Sequence, residues 1–110
     1  MASLRSLDRR VVRIAQAFVR FLVANGIRVT VTSTRRDPAE QARLYARYKA
    51  GLSRYPAAPP GKSTHGAGMA FDLKLDPPMY EAAGRAWEAA GFTWGGRFKD
   101  PIHFDFRPRA

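Results

Sequence analysis

The chain has 110 residues, of which 45% are hydrophobic, and its 19 lysines and arginines outnumber nine acidic residues to give a formal net charge of +10. This length predicts a single domain over residues 1–110 with one hydrophobic core, and the apolar content argues against general disorder. The absence of cysteine excludes disulfides, thiolate catalysis and cysteine-bound zinc. No apolar run approaches 18 residues, so we expect no transmembrane segment.

The positive charge predicts an anionic partner or anionic surroundings. Nucleic acid is not favoured, because the basic residues are spread over the predicted helices and both termini and no nucleic-acid motif is present. An anionic cell-wall polymer or a lipid surface satisfies the same electrostatics. The first 24 residues are amphipathic and lack the separate apolar segment of a signal peptide, so we expect no signal peptide and synthesis in the cytoplasm. We also expect a monomer.

The first half of the chain predicts a helix, a strand and a second helix. Apolar residues recur every three or four positions from Leu4 to Ala24, which predicts a helix ended by Gly26. Ile27 to Ser33 alternates apolar and polar residues, as a half-buried strand does. Asp37 to Glu40 has the order of a capping box with proline at the first helical position, so a second helix is expected to reach about Gly51.

The second half predicts a loop, three strands and a third helix. Ser53 to Lys62 contains three prolines and a glycine and is read as a loop. Alternation returns from Met69 to Leu75, and a helix capped at Asp76 follows and ends near Gly91. Strands are expected at 92–94 and 102–106. This order predicts an α+β fold in which helices flank a small antiparallel sheet.

The two histidines of the chain and one aspartate are candidate metal ligands. His65 and Asp72 lie seven residues apart in the stretch STHGAGMAFD, and His103 lies in DPIHFDF near the C-terminus. Asp72 and His103 each fall on the polar face of a predicted strand, so pairing of these strands would bring them together. Three nitrogen or oxygen ligands that leave a fourth position to water are typical of a catalytic zinc, and we expect one Zn²⁺ per chain.

Each candidate ligand also has a simpler interpretation. A lone histidine is more often a surface or hydrogen-bonded residue than a ligand. The hypothesis therefore depends on the coincidence of all three residues. A non-catalytic binding module with structural zinc or no zinc is the competing class, and a nucleic-acid-binding protein is favoured by charge alone.

Other polar residues near these positions are candidates for catalysis or substrate binding. Asp100 stands three residues before His103 and could take a proton from an attacking water. Arg36 could stabilise the oxyanion or bind a substrate carboxylate. Ser63 could hydrogen-bond the substrate, and the turn at Trp94 and Gly95 could admit a peptide backbone. Each residue also has a simpler interpretation. Asp100 could cap a turn, and Arg36 could be a solvated charge. Ser63 could have no role, and the glycine turn could lie behind a core tryptophan.

Three segments resemble the zinc D,D-carboxypeptidase and dipeptidase superfamily, which includes phage L-alanyl-D-glutamate peptidase endolysins. STHGAGMAFD matches the signature S-x-H-x-x-G-x-A-x-D, TSTRRDPAEQ is similar to TSGYRSxxEQ, and WGGRFKDPIHFDF is similar to the closing W-GG…D-x-x-H-F. The segments occur in the order of the superfamily and span about Thr32 to Phe106. The resemblance implies a fold of the Hedgehog and D,D-peptidase type.

The resemblance also implies roles for individual residues. It makes His65, Asp72 and His103 the zinc ligands and Asp100 the general base. Thr34 and Arg35 replace the usual Gly-Tyr, so either Arg35 or Arg36 could be the arginine that stabilises the transition state, and the spacing to Glu40 and Gln41 favours Arg36.

The predicted substrate is the stem peptide of bacterial peptidoglycan. An aspartate at position 100, where the carboxypeptidases commonly have glutamate, is typical of the endolysin branch and favours an L-alanyl-D-glutamate endopeptidase. The alternatives are a D-alanyl-D-alanine carboxypeptidase and a non-catalytic wall-binding module. We expect an enzyme that reaches the wall after holin-type release or as a phage component, held near anionic wall polymers or lipid by its charge.

Overall fold

The computed structural model describes residues 2–53, 56–59, 61–62 and 65–109. These residues include three α-helices: α1 (Val12–Ala24), α2 (Pro38–Lys49) and α3 (Tyr80–Ala89). Short 3-10 helices lie at Leu4–Ser6, Pro77–Met79 and Gly95–Phe98. The strands are β1 (Thr30–Ser33), β2 (Ala70–Lys74), β3 (Phe92–Trp94) and β4 (His103–Pro108).

The four strands form one antiparallel sheet in the order β1-β2-β4-β3. Asp72 of β2 is paired with His103 of β4 on one side and with Ser33 of β1 on the other. These three side chains therefore lie in one row across the sheet. The predicted α+β fold is confirmed.

Helices α1 and α3 pack against the apolar face of the sheet. The Phe18 ring of α1 lies 4.8 Å from Trp87 of α3 and 5.6 Å from Phe104 of β4, measured between ring centroids. Phe71 of β2 stacks on Phe104 at 5.7 Å. Because this face is filled by aromatic rings, the polar residues that alternate with them along β2 and β4 lie on the opposite face, where a cleft forms.

The start of the chain differs from the prediction of one helix from Leu4 to Ala24. A 3-10 turn covers Leu4–Ser6, and α1 begins only at Val12. Asp8 causes the break, because its carboxylate accepts a hydrogen bond from the backbone N–H of Arg10, and its own N–H donates to the carbonyl of Gly68. The spacing of apolar residues still identified a core residue correctly, since Leu7 is buried in the core.

Helix α2 forms as predicted. The Asp37 side chain accepts a hydrogen bond from the backbone N–H of Glu40 at 2.9 Å, and Pro38 occupies the first helical position. Strand β1 is shorter than predicted, since it begins at Thr30. Within the described part of the chain, no helix has the length and hydrophobicity needed to cross a bilayer.

Candidate metal centre and active-site cleft

His65, Asp72 and His103 meet at one point on the polar face of the sheet. Nε2 of His65 lies 3.0 Å from Oδ1 of Asp72 and 3.1 Å from Nδ1 of His103, and that Nδ1 lies 3.2 Å from the same Oδ1. In a tetrahedral zinc site with bonds of about 2.0 to 2.1 Å, neighbouring ligand atoms are about 3.3 to 3.4 Å apart. The observed triangle is thus close to the size that zinc requires.

The second nitrogen of each imidazole is held by a hydrogen-bond acceptor. Nδ1–H of His65 donates to the carbonyl of Thr34 at 2.9 Å, and Nε2–H of His103 donates to Oδ2 of Asp105 at 3.0 Å. These bonds select the tautomers that direct a lone pair from each ring toward Asp72. Three acceptor atoms then face one another, an arrangement that needs a cation or a proton between them.

The pKa values of the cluster show how the protein balances these charges. Burial lowers the pKa of His103, but hydrogen bonds to Asp105 and Asp72 outweigh burial and raise it to about 9. Burial would raise the pKa of Asp72, yet hydrogen bonds from His103 and His65 hold it well below its usual range. Both shifts show that the cluster favours a positive charge among these groups, and a bound metal ion would supply such a charge.

Asp105 was not singled out by the sequence analysis. Its side chain is fully buried, and it accepts hydrogen bonds from the backbone N–H of Arg107 at 2.9 Å and from the Arg107 guanidinium at 2.8 Å. Burial would raise the pKa of Asp105, but bonds from His103 and Arg107 lower it. Its position two residues after His103, on the same face of a strand, was the available signal.

Asp100 lies in the same cleft with one oxygen uncommitted. Among the described residues, its buried Oδ1 has no hydrogen-bond partner. Burial raises the pKa of this carboxyl, and nearby His103 opposes the rise. A buried carboxylate oxygen without a donor is costly, so the site fits a water molecule or a substrate proton at this position.

Arg36 faces the cluster, whereas Arg35 faces away from it. The Arg36 guanidinium donates to the Ser33 hydroxyl and to Oε1 of Gln41, both at 2.8 Å, and lies 3.7 Å from Oδ2 of Asp72. Arg35 instead donates to the carbonyl of Ser6 at 3.0 Å, which ties the N-terminal segment to the corner after β1. Of these two neighbouring arginines, Arg36 is therefore the one that is placed to act in the cleft.

Gln41 is a second residue that the sequence analysis did not assign. It is 2% exposed, its oxygen accepts from Arg36, and its Nε2 donates to the carbonyl of Ala58 at 2.6 Å. This glutamine joins Arg36 to the 56–59 segment, which forms part of the cleft wall.

Trp94 is buried behind the cleft and offers little surface for the predicted substrate contact. Its ring is 4% exposed, and its indole N–H donates to the carbonyl of Pro101 at 2.9 Å. A Cβ on Gly84 would lie 2.0 Å from that ring, so Trp94 fills the space behind the site. Gly95 does line the cleft, but a Cβ there would lie 2.4 Å from the Asp100 carbonyl, so close backbone packing already explains the glycine. Ser63 lies outside the described residues.

The cleft around the cluster has a volume of about 540 Å³. Its floor carries His65, Asp72, His103 and Asp100, and Arg36 lies at one side. Apolar residues of the 56–59 segment and the largely exposed Phe98 form its walls. The cleft thus offers a polar reaction centre between apolar surfaces, as a peptide-binding site does.

Several solved structures of peptidases have the same fold. A variant of the vancomycin resistance D,D-pentapeptidase VanY, in complex with Zn(II), is 22% identical, with a TM-score of 0.70 over 91% of this chain and 72% of that chain. The Serratia marcescens L-Ala D-Glu endopeptidase ChiX is 24% identical, with a TM-score of 0.66 over 94% of this chain and 83% of that chain. The LD-carboxypeptidase LdcB is 20% identical, with a TM-score of 0.73 over 93% and 66% of the two chains.

At these identities the structural matches establish the fold alone. No curated protein matches the sequence. The family model described as VanY, D-alanyl-D-alanine carboxypeptidase, matches residues 4–106. The resemblance to this peptidase superfamily is confirmed, and with it the expected class of metallopeptidases that act on peptidoglycan. The match covers nearly the whole sequence, and the chain belongs to the VanY family.

Proposed function

We propose that this protein hydrolyses an amide bond in the stem peptides of peptidoglycan, with zinc held by His65, Asp72 and His103. The observation that carries the proposal is the convergence of three ligand atoms, 3.0 to 3.2 Å apart, with the uncommitted oxygen of Asp100 in the same cleft. When bound, zinc would supply the Lewis acidity that lowers the pKa of water and polarises a carbonyl. Thr34 and Asp105 orient the two histidines for that ion.

Asp100 is proposed as the general base. As water adds to the scissile carbonyl carbon, Asp100 accepts a proton from the water and later transfers it to the leaving nitrogen. The C–N bond then breaks, and the products are a carboxylate and an amine. The raised pKa of this carboxyl supports the role, because a stronger base removes a proton more readily.

Arg36 is proposed to stabilise the oxyanion that develops on the carbonyl oxygen. Its guanidinium is held by Ser33 and Gln41 before any substrate arrives, so little reorganisation is needed when charge develops. Its side chain is 14% exposed, which limits screening by water. A purely structural metal site requires neither a carboxylate oxygen without a hydrogen-bond partner nor a positioned arginine in the same cleft.

Within the family, we propose cleavage between L-alanine and D-glutamate. The aspartate at position 100 supports this bond, because the resemblance associates aspartate with the endopeptidase branch. A D-alanyl-D-alanine carboxypeptidase is the second candidate, favoured by the description of the matching family model. Release through a holin, a phage setting and attraction to anionic wall polymers stay predictions.

The test is digestion of purified peptidoglycan by the zinc-loaded protein, with the products identified by mass spectrometry. We expect L-alanine with a new free carboxylate and D-glutamate with a new free amine. Release of single D-alanine residues would instead establish the carboxypeptidase. If neither product forms above the level of an Asp100→Asn control, the proposed function is wrong.

A further inference from the structure

A second hollow lies beside the active-site cleft and shares two cationic residues with it. Lys62 and Arg107 line both spaces, and the second hollow has a volume of about 390 Å³. The two spaces therefore adjoin at these two side chains. The remaining lining of the second hollow consists of glycine, proline and apolar residues: Gly61, Ala67, Met69, Phe106 and Pro108.

Arg107 is fixed in place and still presents an open edge. Its Nε and Nη2 bind the buried Asp105 at 2.8 to 3.2 Å, which orients the planar guanidinium. Its side chain is nevertheless 63% exposed, and Nη1 makes no hydrogen bond within the described residues. An arginine held on one edge by a carboxylate can bind a second carboxylate with its other donors at a small entropic cost.

Lys62 adds a second positive charge at the same place. It is exposed and forms no ion pair with any residue that the structure describes. The acidic residues of the cleft, Asp72 and Asp100, line only the first space. The reaction centre therefore contains side chains of both charges, whereas the charged side chains that the two spaces share are both positive. This distribution favours the binding of an anion where the two spaces adjoin.

We propose that Lys62 and Arg107 form a subsite for a free carboxylate of the substrate next to the scissile bond. This inference rests on the proposed function. Both candidate substrates carry such a group on the residue that supplies the leaving nitrogen. In D-alanyl-D-alanine it is the terminal carboxylate, and in a stem peptide that continues through the γ-carboxyl of D-glutamate it is the α-carboxylate. The apolar lining suits the short hydrocarbon part of either residue.

The subsite is tested by binding to the metal-free protein, which separates it from hydrolysis. NMR titrations use two matched pairs of probes: L-alanyl-γ-D-glutamyl-L-lysine and its glutamate α-carboxamide, and D-alanyl-D-alanine and its carboxamide. For at least one pair we expect the carboxylate to bind about tenfold or more tightly, as charge-assisted hydrogen bonds are lost with the amide. The pair with the larger ratio identifies the preferred substrate.

Variants assign the preference to these residues. Lys62→Gln should reduce the carboxylate-to-amide ratio to about threefold or less, and Lys62→Arg should restore it. Arg109→Gln removes an exposed cation that lines neither space and should leave the ratio unchanged. Equal or undetectable binding of both members of both pairs, or an unchanged ratio in Lys62→Gln, would overturn the subsite.

The two proposals can fail separately. If the zinc-loaded protein cleaves stem peptides but shows no carboxylate preference, the subsite is wrong and the proposed function stands. If the preference is present and depends on Lys62 but no stem peptide is cleaved, the subsite stands and the proposed function is wrong.

Discussion

Nε2 of His103 lies 3.0 Å from Oδ2 of Asp105, a carboxylate with no exposed surface. This contact holds the imidazole so that Nδ1 faces Asp72 and His65. A carboxylate in this position fixes the tautomer of a metal-binding histidine and increases its basicity. Asp105 is therefore a positioning residue for the candidate metal site.

Asp105→Asn keeps the size of the side chain and removes its charge. We expect zinc affinity to fall by about 10- to 100-fold, the range for losing such a partner. Competition with a chromophoric chelator measures the effect. Asp76→Asn, at an exposed position before α3, is the matched control and should leave the affinity unchanged. Unchanged affinity in Asp105→Asn would mean that this carboxylate serves only to bind Arg107.

Much of the candidate site could be predicted because it follows from the period of the strands. Asp72 and His103 alternate with buried aromatic residues, so each had to lie on the polar face once its strand was recognised. The capping sequence at Asp37 likewise located the start of α2 and therefore the corner that carries Arg36. These signals come from residues that are close in the sequence. They predict the structure correctly when the packing of the core favours the same arrangement.

Contacts between distant segments could not be predicted in this way. The link from Gln41 to Ala58 joins residues 17 positions apart. The hydrogen bond from Asp8 to Gly68 joins segments that α1, β1 and α2 separate in the sequence. Neither contact is indicated by a periodic pattern in the sequence. The burial of Trp94 could not be predicted either, because a tryptophan beside two glycines is compatible with a substrate surface or with a tightly packed turn.

Arg36→Ala should lower turnover by on the order of 10²-fold or more, since it removes the positioned donor nearest the cluster. Arg35→Ala is the control, because Arg35 binds the carbonyl of Ser6 away from the cleft, and its turnover should change little. Single-turnover cleavage of a soluble stem peptide measures both. The reverse ranking would show that the cleft arginine does not stabilise the transition state.

Gln41→Met should weaken the hold on Arg36 while leaving the metal ligands in place. The variant fills the buried space but leaves the Ala58 carbonyl and one guanidinium N–H without partners, so we expect a loss of about 1 to 3 kcal/mol in the free energy of unfolding. Turnover should fall while zinc content stays at the wild-type level. Urea denaturation, kinetics and metal analysis on one sample test this. Wild-type turnover in a destabilised Gln41→Met protein would contradict a positioning role.

Asp100→Asn and His103→Ala should separate proton transfer from metal binding. Asp100→Asn removes only the proton acceptor, so zinc content should persist while cleavage falls by about two to four orders of magnitude. His103→Ala removes a ligand, so zinc content, melting temperature and cleavage should fall together. Metal analysis, calorimetry and peptide cleavage are compared on both variants. Loss of zinc from Asp100→Asn would make Asp100 a ligand and reopen the role of Asp72.

The most direct test of a zinc-dependent peptidase is a titration of zinc into the chelator-stripped protein, with the rate of stem-peptide cleavage measured by mass spectrometry at each step. The ligand triangle of His65, Asp72 and His103 predicts no cleavage without metal, a linear increase in rate and a sharp break at about one zinc per chain. Cleavage by the stripped protein that zinc does not change, or the absence of cleavage at one zinc per chain, would contradict the account.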